Sequence, residues 1–207
     1  MDHTINIAKE NFTAVHTSVE NTELNETPVL RVCKSEKIND YDQNTYAKVN
    51  GLAFHNGIIE VKMFSRLLPD APDLARGFIG IAYRINENDS EFESFYLRPT
   101  NGRNCTDPVR RSHGCQYFSY PGYTFDYFRE FGITKYEAPT EIDLSEWITL
   151  KAVIIDKRAE FYLNGDEEPV LVVTDMKHGV GEKGSVGIFV DIGTEALISD
   201  IKITCLD

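Results

Sequence analysis

Apolar and polar residues alternate with a period of two along most of this chain, the spacing of strands rather than helices. The clearest case is residues 77–99, GFIGIAYRINENDSEFESFYLRP. It predicts two strands, about 78–86 and 92–98, joined by an acidic loop over 87–91. In one register Ile79, Ile81, Tyr83 and Ile85 share a face with Phe95 and Leu97. The opposite face then carries Gly80, Ala82, Arg84, Ser94, Tyr96 and Arg98. A slip of one residue would set Glu93 beside Arg84 and mix Ser94 and Arg98 into the apolar set. Burial of one face therefore selects the first register. It gives an apolar back and a polar front whose small residues leave room for a ligand.

Further strands follow from the same alternation. They are expected at 29–33, 57–67, 116–120, 147–155, 159–163, 185–192 and 197–206, with a tight turn at 156–158. Residues 148–155 and 186–192 look apolar on both faces and should be central strands. No window of 12 residues combines helical spacing of apolar positions with helix caps. Regularly spaced strands broken by turn residues indicate an all-β sandwich or barrel. No repeat or linker interrupts the 207 residues, which read as one domain. The loops at 69–76 and 101–114 are long and polar, and long loops in a compact domain are often functional.

Charge narrows the partners. The formal net charge is −12, which argues against nucleic acid, because phosphate binding rests on clustered Lys and Arg. The nearest basic cluster is Arg103, Arg110 and Arg111 in the loop at 101–114, a local contact for an anionic ligand. No apolar run is long enough to span a bilayer. The first 30 residues lack a basic start followed by an apolar core, so no secretory signal is visible; the default compartment is the cytoplasm, or the cell exterior if a signal has been removed.

Metal and nucleophile signatures are missing from the sequence. The four cysteines, Cys33, Cys105, Cys115 and Cys205, have no zinc spacing. Free thiols are the expectation, with Cys105 and Cys115 placed to staple the loop between them. The five histidines are scattered, and no Gly-x-Ser-x-Gly elbow occurs. The run Asn86-Glu87-Asn88-Asp89-Ser90-Glu91 is oxygen-rich but lacks the glycine of a calcium loop, and reads as an acidic hairpin. No cofactor is expected.

Three blocks carry a resemblance. They are GFIGIAYR with FESFYLRPTNGR, QYFSYPGYTF with KYEAP, and EWITLKAVIIDKRAEFYLNG with PVLVV and GSVGIFV. Together they resemble the concanavalin A-like lectin/glucanase jelly rolls over about residues 45–205. The nearest likeness is to bacterial domains related to laminin-G domains and to sugar hydrolases of the 3-keto-disaccharide hydrolase type. The resemblance implies a sandwich of two antiparallel sheets, one bent into a concave face where carbohydrate binds. It also implies that the first and last strands pair, which would bring Cys33 near Cys205. Calcium is common among lectins and laminin-G domains of this superfamily, which keeps the loop at 86–91 as a calcium candidate.

The run Glu141-Ile142-Asp143-Leu144-Ser145-Glu146 matches a glucanase pattern, but it abuts Trp147 and reads as the turn that launches that strand. Glu93 and Glu137 remain as catalytic candidates. Arg84, Tyr96, Arg98, Gln116, Tyr136 and Lys151 are expected to line the concave face. Aromatic rings would stack on sugar C–H faces while the polar groups bond hydroxyls. On this reading, removing Arg84 and Arg98 abolishes glycan binding and spares the melting temperature. The leading function is glycan binding. A glycoside hydrolase, or a laminin-G-like domain reading a protein partner, is the alternative. A carboxyl pair ~5–10 Å apart in the cleft would mark the hydrolase.

Overall fold

The computed structural model describes residues 1–35, 40–178 and 183–206. Its strands are β1 (Asp2–Thr4), β2 (Phe12–Val15), β3 (Thr17–Leu24), β4 (Thr27–Lys34), β5 (Tyr46–Val49), β6 (Gly57–Leu67), β7 (Ile79–Ile85) and β8 (Phe92–Leu97). They continue with β9 (Cys115–Tyr120), β10 (Glu137–Ala138), β11 (Trp147–Ile155), β12 (Arg158–Leu163), β13 (Leu171–Val173), β14 (Ser185–Val190) and β15 (Thr194–Cys205). Two short helices, α1 (Pro108–Arg111) and α2 (Phe125–Glu130), interrupt them.

The strands form two antiparallel sheets. The back sheet runs β13-β12-β11-β6-β15-β4-β3, with β1 also on β15, and the front sheet runs β10-β9-β8-β7-β14-β5-β2. This is the jelly-roll sandwich that the sequence predicts. In β6 the alternation is direct: Ile59, Val61 and Met63 are buried while Lys62 is exposed. The turns fit their residues too. Asn25 and Glu26 both have positive φ, 50° and 66°, which suits the right-handed twist of the β3–β4 hairpin.

The β7–β8 hairpin adopts the segregating register, with Ile81 opposite Phe95 and Ala82 opposite Ser94. Ile79, Ile81, Phe95 and Leu97 face the back sheet, where the Phe95 ring stacks on Phe161 with centroids 4.0 Å apart. The other face is not the open polar front that the sequence suggests. Tyr46, Phe92, Tyr96, Phe118 and Phe189 are buried there, in mutual ring contacts at 5.2–5.7 Å. The small residues do leave room, but rings from neighbouring strands fill it. Gly80 shows how closely: a Cβ there would run into the Phe95 backbone carbonyl.

Three other expectations change. β11 is buried on one face only, with Lys151 and Ile155 exposed. Its β-branched outer residues match half-burial as well as a centre. The strands buried on both faces are β7, β8, β9 and most of β14. β4 does pair with β15, but Cys33 lies opposite Glu195 while Cys205 lies opposite Gly57. Ten residues of strand, about 33 Å, separate the two thiols. All four cysteines are free, Cys115 buried and Cys105 half-exposed. Among the described residues no helix is long and apolar enough to cross a membrane.

Candidate functional site

Three strands at one edge of the front sheet lay a polar row across it. Gln116 on β9 is opposite Tyr96 on β8 and also opposite Glu137 on β10. Arg98 follows β8 two residues beyond Tyr96, on the same face, and its backbone N–H bonds the Gly114 carbonyl at 2.7 Å. Its guanidinium then reaches every member of the row. Nη1 donates to Glu137 Oε1 at 2.7 Å, and Nη2 donates to the Tyr96 hydroxyl at 3.0 Å and to Gln116 Oε1. Arg98 also lies over the Tyr96 ring, 5.1 Å from its centroid.

Helix α2 closes over this row. Phe125 and Arg129 are four apart and share a helix face. The Phe125 ring has the Arg98 guanidinium at 5.6 Å and that of Arg129 at 5.0 Å. Arg129 also bonds Glu137 Oε1 at 2.9 Å, and His113 Nδ1 lies 3.1 Å from Glu137 Oε2. Glu137 is thus a buried carboxylate shared by two arginines and a histidine. Burial works against the Arg98 charge, but Tyr96 and Glu137 outweigh it and hold its pKa above the ordinary value. Burial, with Arg129 and Arg98 nearby, pushes the His113 pKa down despite Glu137.

Behind the row sits Asp42, fully buried with φ +50°. Its Oδ2 accepts the Phe125 N–H at 2.5 Å, tying α2 to the sheet. Its own N–H donates to Asp191 Oδ2 at 3.0 Å, and Asp191 pairs with Lys34 at 2.5 Å. Burial first, then the Asp191 charge, push the Asp42 carboxyl up to about 7.

A cavity of about 260 Å³ opens at this end of the sheet. Its lining includes the rings of Tyr41, Phe78, Tyr96 and Phe125, the cations Arg76, Arg98, Arg110 and Arg129, and Asn101 and His113. Leu74 and Val109, both exposed, complete it. Among the described residues the lining holds no Asp or Glu. Helix α1 delivers Arg110: Asp107 caps it through the Val109 and Arg110 N–H groups, and Pro108 occupies the first turn.

The structure therefore brings together Tyr96, Arg98, Gln116 and Glu137. It does not bring in the other sequence candidates. Arg84 sits where β7 bulges against β14, with φ +52°. Its Nε donates to the His55 carbonyl at 2.9 Å and Nη2 to Asn56 Oδ1 at 3.1 Å, away from the cavity. Tyr136 is buried against Tyr117 and Phe128, with its hydroxyl on Asp175 at 2.8 Å. Lys151 lies on the exposed face of the back sheet, its Nζ 5.6 Å from the Tyr162 ring centroid. Glu93 is buried on the face of β8 that meets the back sheet, accepting from Tyr117, Ser119 and the His178 N–H. Burial raises its pKa despite these donors.

Nor does the expectation of an unchanged melting temperature suit Arg98. It is 4% exposed, and its loss strips Glu137 of a partner inside the protein.

The turn reading of residues 141–146 agrees with the structure. The Glu146 carboxylate accepts the Asp143 N–H at 2.8 Å, and Arg103 bridges Asp143 and Glu146 at 3.0 and 2.7 Å. Arg111 pairs with Glu141. Of the basic cluster in that loop, only Arg110 faces the cavity. The loop at 86–91 spends its oxygens locally: Asp89 binds Lys48 and Tyr46, and Asn86 Oδ1 accepts the Ser90 and Glu91 N–H groups. Among the described residues no group of three or more His, Cys, Asp or Glu side chains is placed to hold a metal ion. Tyr41, Arg76, Phe78 and Arg129 escaped the sequence reading, whereas Phe125 belongs to the aromatic run YPGYTFDYF, whose rings the sequence places on a rim. Phe125 and Arg129 carried a signal, the i, i+4 spacing, in a stretch that reads as neither helix nor strand.

Neither a protein-family model nor a curated protein sequence matches this chain. Solved structures do match in fold. A carbohydrate binding module, CBM66, from Bacillus subtilis superposes with a TM-score of 0.62 at 14% identity, over 96% of this chain and 98% of that one. A Bacillus subtilis protein of unknown function with a galectin-like fold gives 0.54 at 11%, over 94% and 89%. A native glycosidic hydrolase gives 0.53 at 12%, over 98% and 95%. At such identities the likeness is one of fold, a jelly-roll sandwich of two antiparallel sheets.

Proposed function

We propose that this chain binds a carbohydrate in the cavity at the end of the front sheet. The observation that carries the reading is the cavity's lining: aromatic faces and the His113 imidazole beside guanidinium and amide groups held in place by hydrogen bonds. Rings stack on sugar C–H faces, and fixed donors orient hydroxyls. The fold neighbours include a carbohydrate binding module and a glycosidic hydrolase, which favours a saccharide as the ligand class.

Binding is favoured over hydrolysis by the carboxylates. Glycoside hydrolysis in its usual form needs two carboxyl groups across the bond, ~5–10 Å apart. Glu137 is committed to Arg98 and Arg129, and Glu93 lies between the sheets. A hydrolase of the 3-keto-disaccharide type would also need an acid–base group facing the cavity. His113 is the lining's one group that titrates near neutral pH in its ordinary state.

A glycan array run beside a sugar-release assay tests this. Retention of saccharides without release is expected. The half-buried Phe125 is the site to change: Phe125→Ala should weaken retention about tenfold, the loss of one stacking ring and its cation contacts. Retention that is indifferent to Phe125→Ala, or absent for every glycan, would sink the assignment.

A further inference from the structure

We propose that the saccharide this cavity takes is an acidic one, whose carboxylate or sulfate group is held between Arg76 and Arg110. The proposal rests on the carbohydrate reading and sharpens it to a chemical class.

Four guanidiniums face one small cavity in a protein of net charge −12. Two of them have a counter-ion, because Arg98 and Arg129 share Glu137. The other two bond neutral oxygens. Arg76 Nη1 donates to the Asp73 and Ala75 carbonyls at 2.6 and 2.9 Å. Arg110 donates through Nε to Asn101 Oδ1 at 3.1 Å and through Nη2 to Thr100 Oγ1 at 3.2 Å and the Thr100 carbonyl. A guanidinium has five N–H donors. These contacts leave Nε and Nη2 of Arg76, and Nη1 of Arg110, without a bond among the described residues.

The two cations also repel. Burial, then Arg110 and Arg98, lower the Arg76 pKa. An anion between them would relieve that repulsion and accept from the remaining N–H groups, the forked geometry in which arginine takes carboxylates and sulfur or phosphorus oxyanions. The rings of Tyr41 and Phe125 on the same cavity give the sugar body an apolar wall. The surroundings hold α1 and its arginine in place through the Asp107 cap, so the clamp is prearranged rather than formed by the ligand.

Calorimetric titration with matched probes tests the class. Trigalacturonate, its carboxyl-reduced trigalactose counterpart, galactose 6-sulfate and galactose separate carboxylate from sulfate and both from neutral sugar. At least one acidic probe should bind about tenfold or more tightly than its neutral partner, the scale of a charge-assisted hydrogen-bond pair. Arg110→Gln and Arg76→Gln, each at a half-buried position, should lower the affinity for the acidic probe about tenfold more than that for its neutral partner, and so remove the preference. Equal binding of acidic and neutral partners overturns this proposal and leaves the carbohydrate reading standing. So does a preference that survives both substitutions. Acetate or sulfate ions binding as tightly as the acidic sugars would also overturn it. Binding of none of the probes, in a protein that retains neutral glycans through Phe125, overturns the acidic class alone. Failure of every glycan removes both readings.

Discussion

At the scale of single residues, the site is a set of exchanges between charge and burial. Arg98 keeps its charge because Tyr96, Gln116 and Glu137 compensate it, and the same network makes it a structural post. Asp42 has the opposite balance. Its folded pKa, about 7, stands above the ordinary 3.8. Between those values the unfolded chain ionises while the folded one stays protonated, so Asp42 draws stability down as pH rises from about 4 to about 7, and the loss is complete above 7. Asn fits the positive φ and still accepts the Phe125 N–H. Asp42→Asn should therefore raise the melting temperature at pH 8 by several degrees, at ~2–4 °C per kcal/mol for a chain of this size, and change it little at pH 4. Equal shifts at both pH values would refute the assignment.

At the scale of elements, the β7–β8 hairpin was legible because burial of one face fixes register, and its strands begin and end within a residue or so of expectation. What the alternation cannot carry is the identity of the strands on either side. Tyr46, Phe118 and Phe189 reach the outer face from β5, β9 and β14, and their arrival turns a predicted open front into a packed layer. Arg84 was misplaced for a related reason: a bulge against β14 reorients it, and bulges leave no trace in a period of two. β3 was missed because its residues are largely exposed, so no apolar face marks it. Gly80 is the element's tightest point. Gly80→Ala should cost about 1–3 kcal/mol or more by overpacking, read as a lower urea midpoint with unchanged slope. A neutral result would mean that the hairpin's two strands can part at this point without cost.

Across the whole molecule, strand spacing made an all-β sandwich or barrel readable and the resemblance narrowed it to the sandwich, while the site was readable only in part. Tyr96, Arg98 and Gln116 of the row lie on strands that the sequence marks, whereas Glu137 lies on β10, which it does not. The other half of the cavity comes from segments around Tyr41, Arg76 and α2, which carry no strand period and are united only by the fold. The overall charge adds a consequence of its own. A cationic recess set in a strongly acidic body discriminates by length as well as by sign. A short acid meets the field of the arginines; a long polyanion must also lie along a surface that repels it, and that repulsion is strongest when salt is scarce. At low ionic strength a digalacturonate should bind more tightly per sugar than the polymer, and the gap should narrow as salt is added. A polymer that gains affinity with every added unit would contradict this. With the expected gap, the protein acts as a gauge that admits fragments and turns away the intact chain.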